Sequence, residues 1–533
     1  MTDQARKFES PAELSSRTRT TNIERMANEI FDVAVIGGGI TGAGVALDLA
    51  SRGLRVALIE KDDFGSGTSS RSSKLIHGGL RYLEQFEFGL VRESLRERAV
   101  LKQTAPHLCK PLEFLAPLYS ESERSPLGSN RLKLAAGLWL YDLLAGSQNI
   151  SRHKWISSSD ALKLAPGLST EGLRGAFTYF DCLTDDARLV IEVIKAASTL
   201  GASVANYARV RGFRHNADGL SSLEIEDRIG RREFDLRARV IVNASGVWSD
   251  EVSRLTDGQT RSRIRPSKGI HVVVPAERLG NKTAVLIPSV GENRFLFVIP
   301  WKGRTVIGTT DADYSGSLDD PIAEDEEVNR VLRSAARAFP DSKLTMSDVI
   351  NTFAGLRPLI SAGGEATKEI SRKEEIFEEV SGLITISGGK LTTWRRMAEQ
   401  VSERVVRRFE NNNKNVMTRK SHTSDIALAN GRPSSGENDC EFDSGTVSHL
   451  KETYGGNYGV VLEIARQSKT LKARLIDDLP YIGAEALYAA RYEMAMTVDD
   501  ILARRTRITL IDAGKGQSCA GVVEELLKKE RGS

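Results

Sequence analysis

Cysteine is scarce: four residues in 533, Cys109, Cys182, Cys440 and Cys519, set far apart with no Cys-x-x-Cys pair. That leaves no disulfide framework and no cysteine-built zinc site, and it fits reduced thiols in a cytosolic protein; no metal site is read. An excess of one charge is also missing. Lys and Arg total 74 against 71 Asp and Glu, a net +3, so nothing global favours nucleic acid. No uncharged apolar run approaches the roughly eighteen residues a membrane span needs. The nearest, LKLAAGLWLYDLLAG from Leu132 to Gly146, is broken by Lys133 and Asp142. It is expected to be a helix packed in the core, with membrane or partner docking as the second reading. The first thirty residues lack the apolar stretch of a secretory signal. Their five basic residues are matched by five acidic ones, whereas a mitochondrial transit peptide is poor in acids. Residues 1–30 therefore read as a polar tail with a short helix near its end. There is no internal repeat, and the length suits two or three domains.

Against these absences stands VAVIGGGITGAG, Val33 to Gly44. FDVAVI reads as a buried parallel strand, ITGAGVALDLASRG as a helix stopped by Gly53, and RVALIE as a second strand ending in Glu60. Gly37 permits the tight turn, Gly39 lets a pyrophosphate approach the backbone, and Gly42 lets helix and strand pack closely. The helix N-terminus offers free N–H groups to phosphate. Glu60 lies 21 residues beyond Gly39, where an acid bonds ribose hydroxyls. The unit is a dinucleotide site.

The residues beyond Glu60 select the dinucleotide. A nicotinamide domain would continue with further strand–helix units, but here comes GSGTSSRSSKLIHGGLRYLE, Gly65 to Glu84, too polar for a core strand. It suits a segment wrapping a large polar cofactor, through Thr68, Ser69, Ser73, Lys74 and Leu75. Much later, LRARVIVNASGVWSDEV and GLITISGGKLTTWRRMAEQV each run from strand through a glycine turn to a helix start. They add Gly246, Gly389, Leu391 and Thr392. A helix N-terminus aimed at the flavin stabilises the negative charge it gains on reduction. Three such elements with other sequence inserted between them suit FAD.

Five ordered motifs, VIGGGITGAG, TSSRSSKLIHGGLRYLE, VIPWKGRTVIGTTD, FAGLRPL and SGGKLTTWRRMAE, together resemble the FAD-dependent glycerol-3-phosphate dehydrogenases of the bacterial aerobic type, without the calcium-binding extension of mitochondrial members. The resemblance runs from about residue 31 to the C-terminus. It implies an α/β fold: a glutathione-reductase-like FAD-binding domain, an antiparallel-sheet substrate domain and a helical C-terminal domain. It also implies oxidation of sn-glycerol 3-phosphate to dihydroxyacetone phosphate, with electrons passed to membrane quinone. The protein would then lie in the cytoplasm, peripherally attached to the inner face of the bacterial membrane, with a homodimer as the oligomer to test and no nucleic acid partner. The expected division is a tail to residue 30, then an FAD-binding domain over 31–409 in segments near 31–120, 184–268 and 350–409. Substrate-domain segments near 121–183 and 269–349 interleave with it, a polar linker covers 410–443, and helices fill 444–533. TDDARLVIEVIKAASTLG, Thr184 to Gly201, reads as an amphipathic helix.

The implied chemistry needs cations for a phosphate dianion and a base for a hydroxyl proton. Arg81, Arg357 and Lys390 match the family's substrate contacts, with Tyr82 beside Arg81. For the base, His271 in SKGIHVVVP comes first and His77 in LIHGG second, with a route assisted by Lys390 as a third. Within enzymes the rival is a glycerol-3-phosphate oxidase that reduces oxygen to hydrogen peroxide; the polar insertion carried by those relatives is not seen. An amine or amino-acid oxidase would need one Arg for a carboxylate. A dinucleotide sensor would need a DNA-binding element, and none is evident.

Overall fold

The computed structural model describes residues 11–532 apart from 122–123, 129, 216–219, 258–261, 293, 361–373, 412–417 and 431–438. The first helices are α1 (Ser16–Asn28), α2 (Ile40–Ser51), α3 (Phe88–Thr104), α4 (Arg131–Ala145), α5 (Ser158–Leu164) and α6 (Asp186–Thr199).

Phe31–Ile36 is buried at every position, as expected of a strand covered on both faces. It pairs in parallel with Val56–Ile59 on one side and Arg232–Asn243 on the other. Ser203–Ala205 and Ile384–Ser387 extend the parallel set outward, and an antiparallel pair, Ala208–His215 and Ser221–Asp227, is attached to Arg232–Asn243. The strand order reverses at Phe31–Ile36, so the crevice at its C-terminal end is the switch point where α/β sheets bind ligands. Helix α2 follows that strand and packs against α6 and the helix Trp394–Asn411.

A second sheet of ten strands is antiparallel except for the pair Ala284–Pro288 and Lys110–Tyr119. It contains Lys110–Tyr119 and also Asn351–Ile360, which lies along Ile264–Pro275. Both strands were expected in the FAD-binding segments near 31–120 and 350–409, whereas they pair within the second sheet. Apolar period-two patterns mark a strand without naming its neighbour, and these two look like those of the first sheet.

The N-terminal segment departs from expectation as well. Helix α1 opens with a capping box at Ser15. It buries Ile23 and Met26 against the first sheet, and Arg19 forms a buried ion pair with Asp227 at 2.6 Å. From residue 16 to 28 it is therefore part of the packed structure; residues 1–10 of the expected tail lie outside the described residues. Parts of the expected 410–443 linker also lie outside them. Between those parts, Arg419 N–H donates to the Arg52 carbonyl and Leu428 is buried in the core around α2. Beyond the linker come the helices Ser444–Tyr454, Tyr458–Ala465, Gly483–Tyr492 and Gln517–Gly532; the first three share a core of Leu450, Tyr454, Val461 and Tyr488.

Candidate active site

A cleft of about 530 Å³ runs from the opening glycine turn to Lys390 and Leu391. Gly37 has φ +109°, a left-handed conformation that side chains disfavour. A Cβ on Gly42 would collide with the Gly37 carbonyl oxygen, so helix and strand can meet there only without a side chain. Gly39 begins α2 with no side-chain cap, and the Ile40 N–H donates to Ser69 Oγ at 2.9 Å. Glu60 lies at the end of its strand and accepts from the N–H groups of Gly38 (2.7 Å) and Asp62 (2.9 Å). Burial raises its carboxyl to about 7, against the pull of those two donors. Thr68, Ser69, Gly246, Gly389 and Leu391 all line the same cleft. An elongated, glycine-walled cleft with an acid at one end and a helix start (Leu391–Thr393, leading into Trp394–Asn411) at the other fits FAD.

A neighbouring cavity of about 410 Å³ is lined by Leu75, His77, Arg81, Tyr82 and Arg357. Lys390 joins the two spaces: it lines the cleft, and its Nζ lies 3.7 Å from the centre of the Tyr82 ring. His77 is held by Thr392, whose hydroxyl accepts from the His77 N–H (3.1 Å) and donates to its carbonyl (3.2 Å). Thus Thr392 acts on the histidine through its backbone.

Some expected site residues do not reach these two spaces. Ser73, Lys74 and His271 line neither space. His271, first choice for the base, is 2% exposed; it is stacked on Phe353 at 4.6 Å and bonded through Nε2 to Ser73 Oγ at 2.8 Å. Burial, with the Lys74 and Arg357 charges, keeps its imidazole neutral, well below the usual range. In the register Ser267 stands opposite Arg357 and His271 opposite Phe353, so His271 lies on the same sheet face as Arg357. It is kept from the cavity by the Phe353 and Ser73 side chains packed on it, which the motif does not reveal. Lys74 is buried on Asp186 at 2.8 Å and on the Ser70 carbonyl at 2.7 Å. Burial and Arg507 press it down to about 8, with Asp186 opposing.

The cavity also holds residues that motif reading missed. Asp311 takes Arg357 Nη1 at 3.1 Å and Arg294 Nη2 at 2.9 Å, and Thr309 Oγ1 takes Arg357 Nη2 at 3.0 Å. One carboxylate thus orients two guanidiniums. Arg294 Nη1 is buried with no hydrogen-bond partner among the described residues. Arg294 leads RFLFVIP, where the strand pattern drew attention from it. Asp181 accepts from Tyr141 OH (2.8 Å), Arg98 (2.6 Å) and the Gly78 N–H (3.2 Å). It anchors the turn between His77 and Arg81.

Fold and site define a flavoprotein oxidoreductase. The family description "FAD dependent oxidoreductase" matches residues 32–403, and "C-terminal domain of alpha-glycerophosphate oxidase" matches 384–533. The chain is 38% identical to glycerol-3-phosphate dehydrogenase 2 of Mycobacterium tuberculosis, covering 97% of this chain and 87% of that one. It is 34% identical to the aerobic glycerol-3-phosphate dehydrogenase of Staphylococcus aureus, covering 92% and 89%. Among solved structures, glycerol-3-phosphate dehydrogenase from Bacillus halodurans, complexed with FAD, superposes with a TM-score of 0.78 at 30% identity, over 97% of this chain and 94% of that one. The chain belongs to the FAD-dependent oxidoreductases and, within them, to the FAD-dependent glycerol-3-phosphate dehydrogenase family. Its cofactor is FAD.

Proposed function

We propose that the protein oxidises sn-glycerol 3-phosphate to dihydroxyacetone phosphate and passes the electrons to a quinone held in the membrane. The observation that carries this reading is the cluster of Arg81, Arg294 and Arg357 in a cavity that meets the FAD cleft at Lys390. A phosphate dianion matches several fixed cations, and arginine binds it with a planar fork. In this reading Arg294 and Arg357, held by Asp311, take the phosphate with Arg81. Lys390, stacked on Tyr82, lies at the seam where the C2 hydroxyl would stand. His77 takes the hydroxyl proton, because it lines the cavity and His271 does not. FAD supplies the acceptor for the hydride that leaves C2. Glu60 holds the adenosine ribose, in an FAD-binding unit of the glutathione-reductase-like type.

Support for a membrane acceptor comes from the surface. Leu132, Trp139 and Leu143 of α4 are 81%, 62% and 58% exposed, and Phe86 is 77% exposed. Lys133 reaches Glu84 at 3.6 Å, tying α4 to the turn that carries Phe86. Among the described residues no helix is long and apolar enough to cross a membrane, so this apolar face would rest in the lipid interface of the inner leaflet. The cavity wall beneath the turn, Leu80, Leu90, Phe295 and Phe297, is apolar and suits a quinone ring.

Purified protein should be yellow, bleach with glycerol 3-phosphate and recolour with a water-soluble quinone analogue. Arg357→Ala should raise KM for glycerol 3-phosphate about ten- to a hundred-fold, the loss of a charged hydrogen bond worth about 1.5–3 kcal/mol, while plain glycerol loses little. Equal losses for both substrates would remove Arg357 from phosphate binding. Fast peroxide formation in air without response to the quinone would favour the oxidase.

A further inference from the structure

A third cavity, of about 490 Å³, lies where the C-terminal helices meet the second sheet and the start of α6; pockets of this size hold small molecules. It shares no lining residue with the FAD cleft or with the cavity beside it. On its wall His107 is 6% exposed, and neither ring nitrogen has a hydrogen-bond partner among the described residues. The buried Thr184 hydroxyl is in the same state. Buried polar atoms are nearly always satisfied, and one left alone costs free energy. Burial and nearby cations push His107 down to about 3, so the ring is neutral and offers one donor and one acceptor. Two ligand hydroxyls, one giving and one taking, match that pair.

The cavity also carries three cations, each paired with a carboxylate of the same wall. Lys110, Lys302 and Arg304 line it. Lys110 and Arg304 are engaged by Glu452 and Asp478, whose side chains are 56% and 67% exposed; both carboxylates can turn to solvent when an anion enters. Trp301 and Tyr481 supply an apolar wall for a carbon skeleton.

We infer that this cavity binds a phosphorylated sugar or polyol, its hydroxyls on His107 and Thr184 and its phosphate on Lys110, Lys302 and Arg304. The site reaches the flavin loop through two adjacent carboxylates. Asp185 lines the cavity and takes Lys302 at 3.3 Å. Arg507 sits between Asp185 (3.6 Å), Asp186 (3.1 Å) and the Ser70 carbonyl (2.8 Å). Drawing Lys302 away leaves Asp185 to pull on Arg507, and so on the loop carrying Thr68 and Ser69.

The test is calorimetry on the full-length, FAD-loaded protein with ribose 5-phosphate as probe. One saturable site is expected, at least tenfold tighter than for ribose or for inorganic phosphate, with a small change in the flavin absorbance band. Ser448→Trp fills the cavity from an exposed position and should weaken binding at least tenfold at unchanged FAD content and turnover. Lys302→Gln should also weaken it. Absence of saturable binding up to millimolar probe, or equal affinity in Ser448→Trp, overturns the site. Binding that leaves the flavin spectrum untouched overturns its coupling to the loop.

Discussion

Helices α4 and α6 are close in length, 15 and 14 residues, and the rest of the chain treats them in opposite ways. Helix α6 carries Asp186, Arg188, Glu192 and Lys195, and all four are buried. Helix α4 carries Leu132, Trp139 and Leu143 and leaves them in solvent. The C-terminal helices make the difference. They cover α6 and bring Glu493, which takes Arg188 at 2.7 Å, while Glu192 takes Arg188 at 2.8 Å and Tyr488 accepts from Lys195 at 3.1 Å. Each charge removed from water is met by an opposite charge or a hydrogen bond, the condition under which charge burial is tolerated. Helix α4 has a cover on one side only, where Leu134, Leu138 and Tyr141 pack under the second sheet. Its other side lacks an intramolecular cover among the described residues, leaving Leu132, Trp139 and Leu143 exposed, as the proposed lipid contact requires.

The largest loss is expected at Arg188. Arg188→Met removes the cation closest to both Glu493 and Glu192, leaving Lys195 at 3.2 Å from Glu192 and 3.9 Å from Glu493, and should cost about 3–5 kcal/mol, read as a large fall in Tm. Adding Glu493→Leu should recover part of it. An unchanged Tm for the single variant would mean that the ion pairs under the C-terminal helices hold nothing. On the covered side of α4, Leu138→Ala removes a side chain with 0% exposure and should cost about 2–5 kcal/mol, measured by denaturant unfolding.

Glu60, outside both helices, contrasts with the acids around α6 because it is half-buried and its carboxylate accepts from backbone N–H groups without a strong ionic partner. Its folded value, raised to about 7, lies above its unfolded one. The FAD-free chain should therefore lose stability as pH rises from the ordinary carboxylate range to about 7. Ribose hydroxyls favour the ionised form, so FAD affinity should fall as pH drops below about 7, by up to about tenfold per unit. Flavin fluorescence on release measures this, and Glu60→Gln should flatten the profile. A profile as steep in Glu60→Gln as in the parent would assign the titration to another group.

The smallest effect on stability is expected on the open side of α4. Trp139→Ser should change unfolding free energy by no more than about 0.5 kcal/mol while reducing sedimentation with lipid vesicles. The attachment should resist high salt and yield to mild detergent, since apolar burial is not screened by ions. Vesicle binding equal to the parent's would remove α4 from the membrane face.

The legible part of this protein is the part in which neighbours along the chain do the chemistry. The turn at Gly37–Gly42 and the position of Glu60 could be read directly because strand, turn and helix are local. Left-handed φ and close backbone approach demand glycine whatever packs around them. Ordered motifs likewise brought out Arg81, Arg357 and Lys390, and the cavity and its seam with the cleft bring those three together. Three matters were left to tertiary structure. Which of two motif histidines reaches the cavity depends on what packs over each, and His271, on the same sheet face as Arg357, is covered by Phe353 and Ser73. Arg294 joins Arg357 only because strands distant in sequence bring both to Asp311. The charges of α6 are buried and the apolar residues of α4 exposed because burial is settled by what packs on a face, and a helix does not encode its own cover.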